Sequence, residues 1–180
     1  MKVFQLVAWL AGLSLIWACQ PVAIEPEARQ KAYFATVRGG GFCFCLTDIT
    51  LMDHSGTWRD LEIDSDSSIH LFDFDLTGVS LDSLLGLPYQ TLGQVDAATL
   101  AEWAALIPEE EAVTYEKGED VHCLVPSEVT TYYALRYDLA QQAYQWLLIG
   151  SIEHCGNGGW RPTTREGKRL WRKWTGRRIR

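Results

Sequence analysis

Two stretches in the last third of the chain, Val129–Tyr137 (VTTYYALRY) and Tyr144–Ile152 (YQWLLIGSI), decide the fold that the sequence predicts. Both are rich in aromatic and β-branched residues, which favour strands because their side chains pack well on a pleated sheet. Only the short segment Asp138–Ala143 (DLAQQA) separates them, as expected for neighbouring antiparallel strands. We therefore predict a β-hairpin here.

Further strand candidates precede this hairpin. Three glycines, Gly39–Gly41, follow the first candidate, and His54–Gly56 predicts a turn between two others. The last candidate alternates apolar and acidic residues, which predicts a sheet with one solvated face. The candidates are Tyr33–Arg38, Phe42–Leu46, Ile49–Met52, Thr57–Ile63 and Ile69–Leu76.

One helix is predicted over about 96–107. Asp96 is a suitable N-cap residue, and Pro108 follows the helical pattern. Leu100, Trp103, Ala104 and Ile107 share an apolar stripe that would cover the sheet. The predicted fold class is α+β, a mostly antiparallel β-sheet with one packed helix, in a single domain over 31–160.

The first residues predict export. Lys2 precedes the apolar run Val3–Trp17, which is too short for an ordinary membrane span and reads as a signal peptide over 1–18. The residues Ile16–Cys19 (IWAC) resemble the lipobox of bacterial lipoproteins, although Trp17 departs from its usual small residue. This resemblance implies cleavage before Cys19, acylation of Cys19 and, because Gln20 rather than Asp follows, an outer-membrane destination. Ordinary cleavage after Ala18 would instead leave a soluble periplasmic protein.

Residues 19–30 contain two prolines and no apolar periodicity, which predicts a tether between lipid and domain. Within the domain, the Gly39–Phe42 motif (GGGF), the helix region and the late Tyr-rich hairpin resemble small uncharacterised envelope lipoproteins. The glycine motif is also similar to emfourin-type inhibitors of metalloproteases. Cys43–Cys45 (CFC) departs from both patterns, so no functional residue is carried over.

Composition indicates a folded chain with divided charge. Hydrophobic residues form 47% of the 180 residues, which excludes disorder of the whole chain. The net charge is −7, yet residues 161–180 carry nine basic residues and one acidic residue, Glu166. The other 160 residues therefore hold 7 of the 16 bases and 22 of the 23 acids. An acidic body thus precedes a basic tail.

Four cysteines follow Cys19: Cys43, Cys45, Cys123 and Cys155. An even number in an exported chain predicts two disulfides. Cys43 and Cys45 lie two residues apart in a predicted strand, so we expect each to pair with Cys123 or Cys155, with the connectivity left open.

The alternative is a zinc or copper site, because thiolate and imidazole ligands suit both metals. Its ligands would come from Cys43, Cys45, His122, Cys123, His154 and Cys155. Adjacent residues of a strand point to opposite faces, so each His-Cys pair would offer one side chain to a common centre. Disulfides explain the four sulfurs without a metal, and we predict no cofactor.

The sequence carries none of the catalytic motifs G-x-S-x-G, H-E-x-x-H or G-x-x-x-x-G-K-[ST], and we therefore expect no enzyme.

The basic tail predicts a short helix with a capping box at Thr163 and Glu166 and a shared face of Leu170, Trp171 and Trp174. We predict that it contacts an anionic membrane surface; a frayed tail and docking onto the acidic body are the alternatives. The predicted contact residues are Lys168, Arg169, Trp171, Arg172, Lys173 and Trp174.

The sequence thus predicts a non-catalytic envelope lipoprotein, held in the membrane by its lipid anchor, whose domain binds or supports an envelope protein. Nucleic acid is not an expected partner outside the cytoplasm. The alternatives are an emfourin-like envelope protease inhibitor and a metal-binding protein that uses the Cys/His set.

Overall fold

The computed structural model describes residues 31–40, 45–63, 76, 78–118, 128–138, 141, 143–154 and 158–176, with the backbone alone for residues 40 and 45–47. Strands dominate this part of the chain. They are β1 Tyr33–Gly40, β2 Cys45–Met52, β3 Thr57–Leu61, β4 Tyr89–Gln94, β5 Val113–Glu116, β6 Glu128–Asp138, β7 Ala143–Glu153 and β8 Gly159–Pro162. The helices are α1 Leu81–Leu85, α2 Ala97–Ala104 and α3 Arg165–Thr175.

Six strands form one antiparallel sheet in the order β4-β3-β2-β1-β6-β7, and β5 pairs with β8 in a second, two-stranded sheet. The predicted α+β class with a mostly antiparallel sheet is confirmed. The hairpin is confirmed as β6 and β7, which pair from Val129–Glu153 to Asp138–Ala143 with a bulge between Tyr132 and Tyr133.

Both faces of the sheet are buried around β1. Tyr33, Ala35 and Val37 point into one hydrophobic cluster, which also contains Leu81 and Leu84 of α1. Phe34 points into a second cluster on the opposite face, which includes Leu170 and Trp171 of α3. The expectation of one solvated face is therefore corrected, because helices cover both sides of the central strands. The segment Ile69–Leu76 that suggested it lies outside the described residues, apart from the buried Leu76.

Helix α2 begins where the sequence predicted. Oδ1 of Asp96 accepts a hydrogen bond from the Thr99 N–H at 2.9 Å, which caps the helix. The helix ends at Ala104, earlier than predicted, and no residue of it is fully buried. Leu100, Trp103, Ala104 and Ile107 nevertheless pack against the second cluster, as the stripe predicted.

The prediction of a single packed helix is corrected, because α1 and α3 also pack on the sheet. Helix α1 has only five residues. Ser80 caps it, because its Oγ accepts a hydrogen bond from the Ser83 N–H at 3.1 Å. The extent of two strands differs from the prediction. Strand β2 runs without interruption from Cys45 to Met52, where two separate strands were predicted. Strand β3 ends at Leu61 and not at Ile63. The predicted turn at His54–Gly56 joins them, with Gly56 at a φ of 83°.

Candidate functional site

The C-terminal helix α3 is terminated by local chemistry at both ends. Thr164 Oγ1 accepts a hydrogen bond from the Gly167 N–H at 3.1 Å, and Gly176 ends the helix in the left-handed region, which glycine adopts readily. The predicted capping residue, Thr163, is corrected to Thr164. Thr163 instead donates its backbone N–H to the carbonyl of Ala112 at 3.0 Å, which ties the start of the helix to the body of the domain.

The apolar side of α3 is buried in the second cluster. Leu170 and Trp171 have exposed fractions of 0% and 1%. The Trp171 ring lies directly on Gly150 of β7, because a Cβ atom at this glycine would lie 2.3 Å from Cζ3 of the ring. The Arg161 guanidinium lies 5.5 Å from the ring centroid, in cation–π geometry. Trp171 is therefore removed from the predicted membrane contact, since it is part of the core.

Trp174 extends this packing into an aromatic cluster. The rings of Phe34 and Tyr132 meet it edge-on, with centroids at 5.3 and 5.2 Å. The rings of Trp58 and Trp103 are tilted against it, at 6.2 and 6.1 Å. Trp174 is only partly buried, but its ring contacts tie α3 to β1, β3, β6 and α2. Trp174 therefore holds the helix in place instead of being fully available for the predicted membrane contact.

The opposite side of α3 carries a row of cations, which we call the basic face. Its residues Arg165, Lys168, Arg169 and Arg172 are all exposed, and their spacing of three or four residues places them on one side of a helix. Within the described residues they form no ion pair, whereas Lys173 Nζ contacts Glu102 Oε1 of α2 at 2.7 Å. Three of the predicted contact residues, Lys168, Arg169 and Arg172, thus keep an exposed charge on the basic face, and Lys173 has one partner.

The basic face is suited to binding an anionic surface. Four charges stand within about 10 Å along the axis of a helix, and Glu166 is the only acidic residue among residues 161–180. Guanidinium groups bind phosphate oxygens bidentately, and the ammonium group of Lys168 adds a point charge. Because the helix is packed on the sheet, these charges are presented without the cost of folding it at the surface. The sequence prediction omitted Arg165; helical periodicity would have included it.

A second polar group lies at the β2–β3 turn, where Asp53 is 3% exposed. Its carboxylate pairs with Arg59 and accepts hydrogen bonds from the Ser55 hydroxyl at 2.5 Å, the Ser55 N–H at 2.9 Å and the Thr57 N–H at 3.2 Å. Burial alone would raise the pKa of Asp53, but the hydrogen bonds from Ser55, Thr57 and Arg59 outweigh it and lower this pKa. The carboxylate is thereby held charged to build the turn, and we assign it a structural role.

The predicted sulfur sites lie largely outside the described residues. Cys19, Cys43, Cys123, Cys155 and His122 are not described, and Cys45 is described by its backbone alone. His154 is exposed after β7, where Nε2 lies 2.7 Å from the hydroxyl of Thr130. Among the described residues, no group of three or more His, Cys, Asp or Glu is placed to hold a metal ion. Both the disulfides and the alternative metal site stay predictions.

None of the helices in the described ranges is long and apolar enough to cross a membrane. Comparison of the chain with protein-family models, with curated proteins and with solved structures finds no match.

Proposed function

We propose that this chain is a non-catalytic, lipid-anchored lipoprotein of the bacterial cell envelope, whose basic face lies on the anionic surface of the membrane that holds its anchor. The observation that carries the proposal is the two-sided character of α3. Its apolar side is buried in the domain, with Leu170 and Trp171 at 0% and 1% exposure, and its four outward cations are exposed. Such a helix contacts a surface through charge rather than through insertion.

The position of the first described residues also supports placing the anchor and the basic face on one membrane. Ala32, next to the first described residue, belongs to the hydrophobic cluster that contains Leu170 and Trp171. Phe34 follows it in β1, with its ring against Trp174 at 5.3 Å. The chain therefore enters the domain beside α3. A tether over 19–30 reaches at most about 40 Å when fully extended, so the anchor and the basic face can meet one membrane.

The binding energy that the cations can supply favours two membrane contacts, the lipid anchor and the basic face. Each Lys or Arg near an anionic leaflet contributes about 1 kcal/mol, so the four cations contribute on the order of 4 kcal/mol at most. Salt weakens this attraction, because the charges remain in water. The lipid supplies the stable anchor, and the basic face sets how the domain lies on the surface.

Vesicle binding tests the membrane contact. Residues 19–180 with Cys19→Ser, called the Cys19→Ser chain, lack both the predicted signal peptide and the acylated cysteine. They are incubated with vesicles of phosphatidylcholine alone or mixed with phosphatidylglycerol, and the bound fraction is measured by sedimentation. We expect binding only to the anionic vesicles, weakened by salt. Arg169→Glu combined with Arg172→Glu should reduce the affinity at least about tenfold.

Arg136→Glu is the matched control, because Arg136 is an exposed cation on β6. It should bind the anionic vesicles within about twofold of the chain with Cys19→Ser alone. An equal loss of affinity in the control and in the α3 double variant would contradict the basic-face proposal. Binding to neutral vesicles as strong as binding to anionic vesicles would contradict it as well. The anchor is tested separately: labelled palmitate should enter the unmodified chain but not the Cys19→Ser variant.

A further inference from the structure

Strand β4 forms an open edge of the six-stranded sheet. It pairs with β3 on one side, and all six of its residues are exposed. Within the described residues no strand pairs with its outer side. The strand reads YQTLGQ and carries no charge, whereas exposed edges commonly carry charged residues that prevent further pairing. Tyr89 and Leu92 leave 45% and 61% of their surfaces in water.

The backbone of β4 shows which groups are offered outward. The Glu62 N–H donates to the carbonyl of Pro88 at 2.9 Å, so this pair is hydrogen-bonded across β3 and β4. Hydrogen-bonded and non-hydrogen-bonded pairs alternate in an antiparallel ladder. The N–H and C=O groups of Gln90 therefore point to β3, and those of Tyr89 and Thr91 point away from the sheet.

A bulge limits the usable part of this edge. The pairing of β3 with β4 shifts between Trp58 and Arg59, where Leu92 is the additional residue on β4. Bulges disturb the ladder and increase the local twist. Pro88 precedes the strand and has no N–H to donate. The regular outward ladder is thus confined to the segment Tyr89–Thr91, which restricts the register in which another strand can join.

We propose that β4 pairs antiparallel with β4 of a second copy of this chain, about a two-fold axis at Gln90. In this register Tyr89 of each copy lies opposite Thr91 of the other, and both residues offer outward N–H and C=O groups. The two copies exchange four backbone hydrogen bonds. The two glutamines face each other as a non-hydrogen-bonded pair on the axis, and Nε2 of each donates at 3.4 Å to Oε1 of Glu62 in its own copy, directly after β3.

Charge and symmetry favour a second copy as the occupant. The residues of β4 are uncharged, although Gln90 on the axis contacts the carboxylate of Glu62, the residue after β3. Asp60, the acidic residue paired with Gln90 across β3 and β4, would lie about 14 Å from its equivalent, three strand spacings away. This distance exceeds the Debye length of about 8 Å at physiological salt. The interaction uses the same surface of both copies, so it closes as a dimer and does not propagate through β4.

The dimer is expected to be weak. A contact of two short strands buries less than the about 1,200 Å² of stable complexes. We therefore expect a dissociation constant in the range of about 10 µM to about 1 mM. Sedimentation of the Cys19→Ser chain over this range should show a concentration-dependent dimer.

Thr91→Lys should weaken the dimer at least about tenfold, because it places a charge in the seam. Thr114→Lys on the exposed β5 is the matched control and should dimerise like the parent chain. A parent chain that stays monomeric up to about 1 mM would overturn the proposal, and so would equal association of the two lysine variants.

Cross-linking tests the register independently of affinity. Residues facing each other in a non-hydrogen-bonded pair have Cα atoms about 4.5 Å apart, within the range that a disulfide spans. Gln90→Cys should therefore form a 90–90 cross-link under mild oxidation, identified by mass spectrometry of the joined peptide. Tyr89→Cys should not cross-link to its equivalent, about 9 Å away. The reverse pattern, or no 90–90 peptide, contradicts the register.

Discussion

The two edge strands of the six-stranded sheet, β7 and β4, differ in whether other segments of the chain cover them. On β7, the Leu148 N–H donates to Oε2 of Glu111 at 3.3 Å, and the Ser151 carbonyl accepts from Nη1 of Arg161 at 2.7 Å. Ser151 Oγ accepts from the Trp160 N–H at 2.9 Å. On β4, every residue is exposed. Within the described residues, one edge is thus covered by other segments of the same chain, and the other is exposed.

The difference shows that other segments of the chain can protect an edge, whether they are near in sequence, as Arg161 is to Ser151, or 37 residues away, as Glu111 is from Leu148. Glycines allow close approach at this edge: Gly150 of β7 accommodates the Trp171 ring, and a Cβ at Gly159 of β8 would lie 2.3 Å from the Ser151 carbonyl oxygen. β4 also contains a glycine, Gly93, but a Cβ there would meet nothing within 4 Å. The same residue type is therefore required for close packing on one edge and not on the other.

The largest expected effect comes from removing the ring that packs beside the covered edge. Trp171→Ala should lower the free energy of unfolding by about 3–5 kcal/mol, because it leaves a cavity in the core. Leu92→Ala on β4 is the matched truncation of an exposed residue and should change stability by less than about 0.5 kcal/mol. Urea unfolding followed by tryptophan fluorescence and circular dichroism measures both. Similar losses in the two variants would contradict the assignment of a covered and an open edge.

The next test compares a glycine-to-alanine substitution in each of the two edge strands. Gly150→Ala should destabilise the domain by about 1–3 kcal/mol, because the new Cβ displaces the Trp171 ring. Gly93→Ala should stay within about 0.5 kcal/mol of the parent chain. Thermal and urea unfolding of the two variants give the comparison. A neutral Gly150→Ala would mean that the ring does not lie on the glycine.

Local patterns in the sequence were sufficient to predict the central hairpin and the start of α2. The aromatic and β-branched runs form β6 and β7, and the cap at Asp96 lies where its residue type indicated. Both depend on residues that are close in sequence, so propensity and capping decide them.

The position of α3 could not be predicted in the same way. Its amphipathic pattern was identified, but the pattern is equally suited to a membrane surface and to a protein core. Which surface covers Trp171 depends on Gly150 and Tyr132, and on the Arg161 side chain folding over the ring. Those contacts arise from the register of β6, β7 and β8, which single-sequence periodicity does not specify. The pairing of β5 with β8 was missed because both strands have only four residues.

A third prediction concerns the turn that supports the open edge, since β3 pairs directly with β4. Asp53→Asn should cost about 1–2 kcal/mol at neutral pH, because it removes a charged acceptor of several hydrogen bonds. The folded pKa of Asp53 is lowered, so its charge stabilises the fold above the ordinary aspartate pKa of about 3.9. This contribution is lost as the pH falls through the lower, folded pKa.

The difference in unfolding free energy between the parent chain and Asp53→Asn should therefore shrink as the pH falls below about 4. Urea unfolding across this range measures the difference directly, and other carboxylates cancel because both chains contain them. Asp60→Asn on the neighbouring β3 is the control, since Asp60 is not part of the turn. A difference that grows towards acidic pH would contradict the lowered pKa.

The smallest expected effect concerns one amide on the covered edge. Glu111→Ala removes the acceptor of the Leu148 N–H and should cost about 0.5–1.5 kcal/mol. Native-state hydrogen exchange resolves this locally: the Leu148 amide should exchange about two- to tenfold faster in the variant, since about 1.4 kcal/mol corresponds to a factor of ten. The Tyr89 and Thr91 amides of β4 should already exchange rapidly at low protein concentration and become protected as dimers form. Protection of these two amides in the monomer, or an unchanged rate at Leu148, would remove the contrast between the two edges.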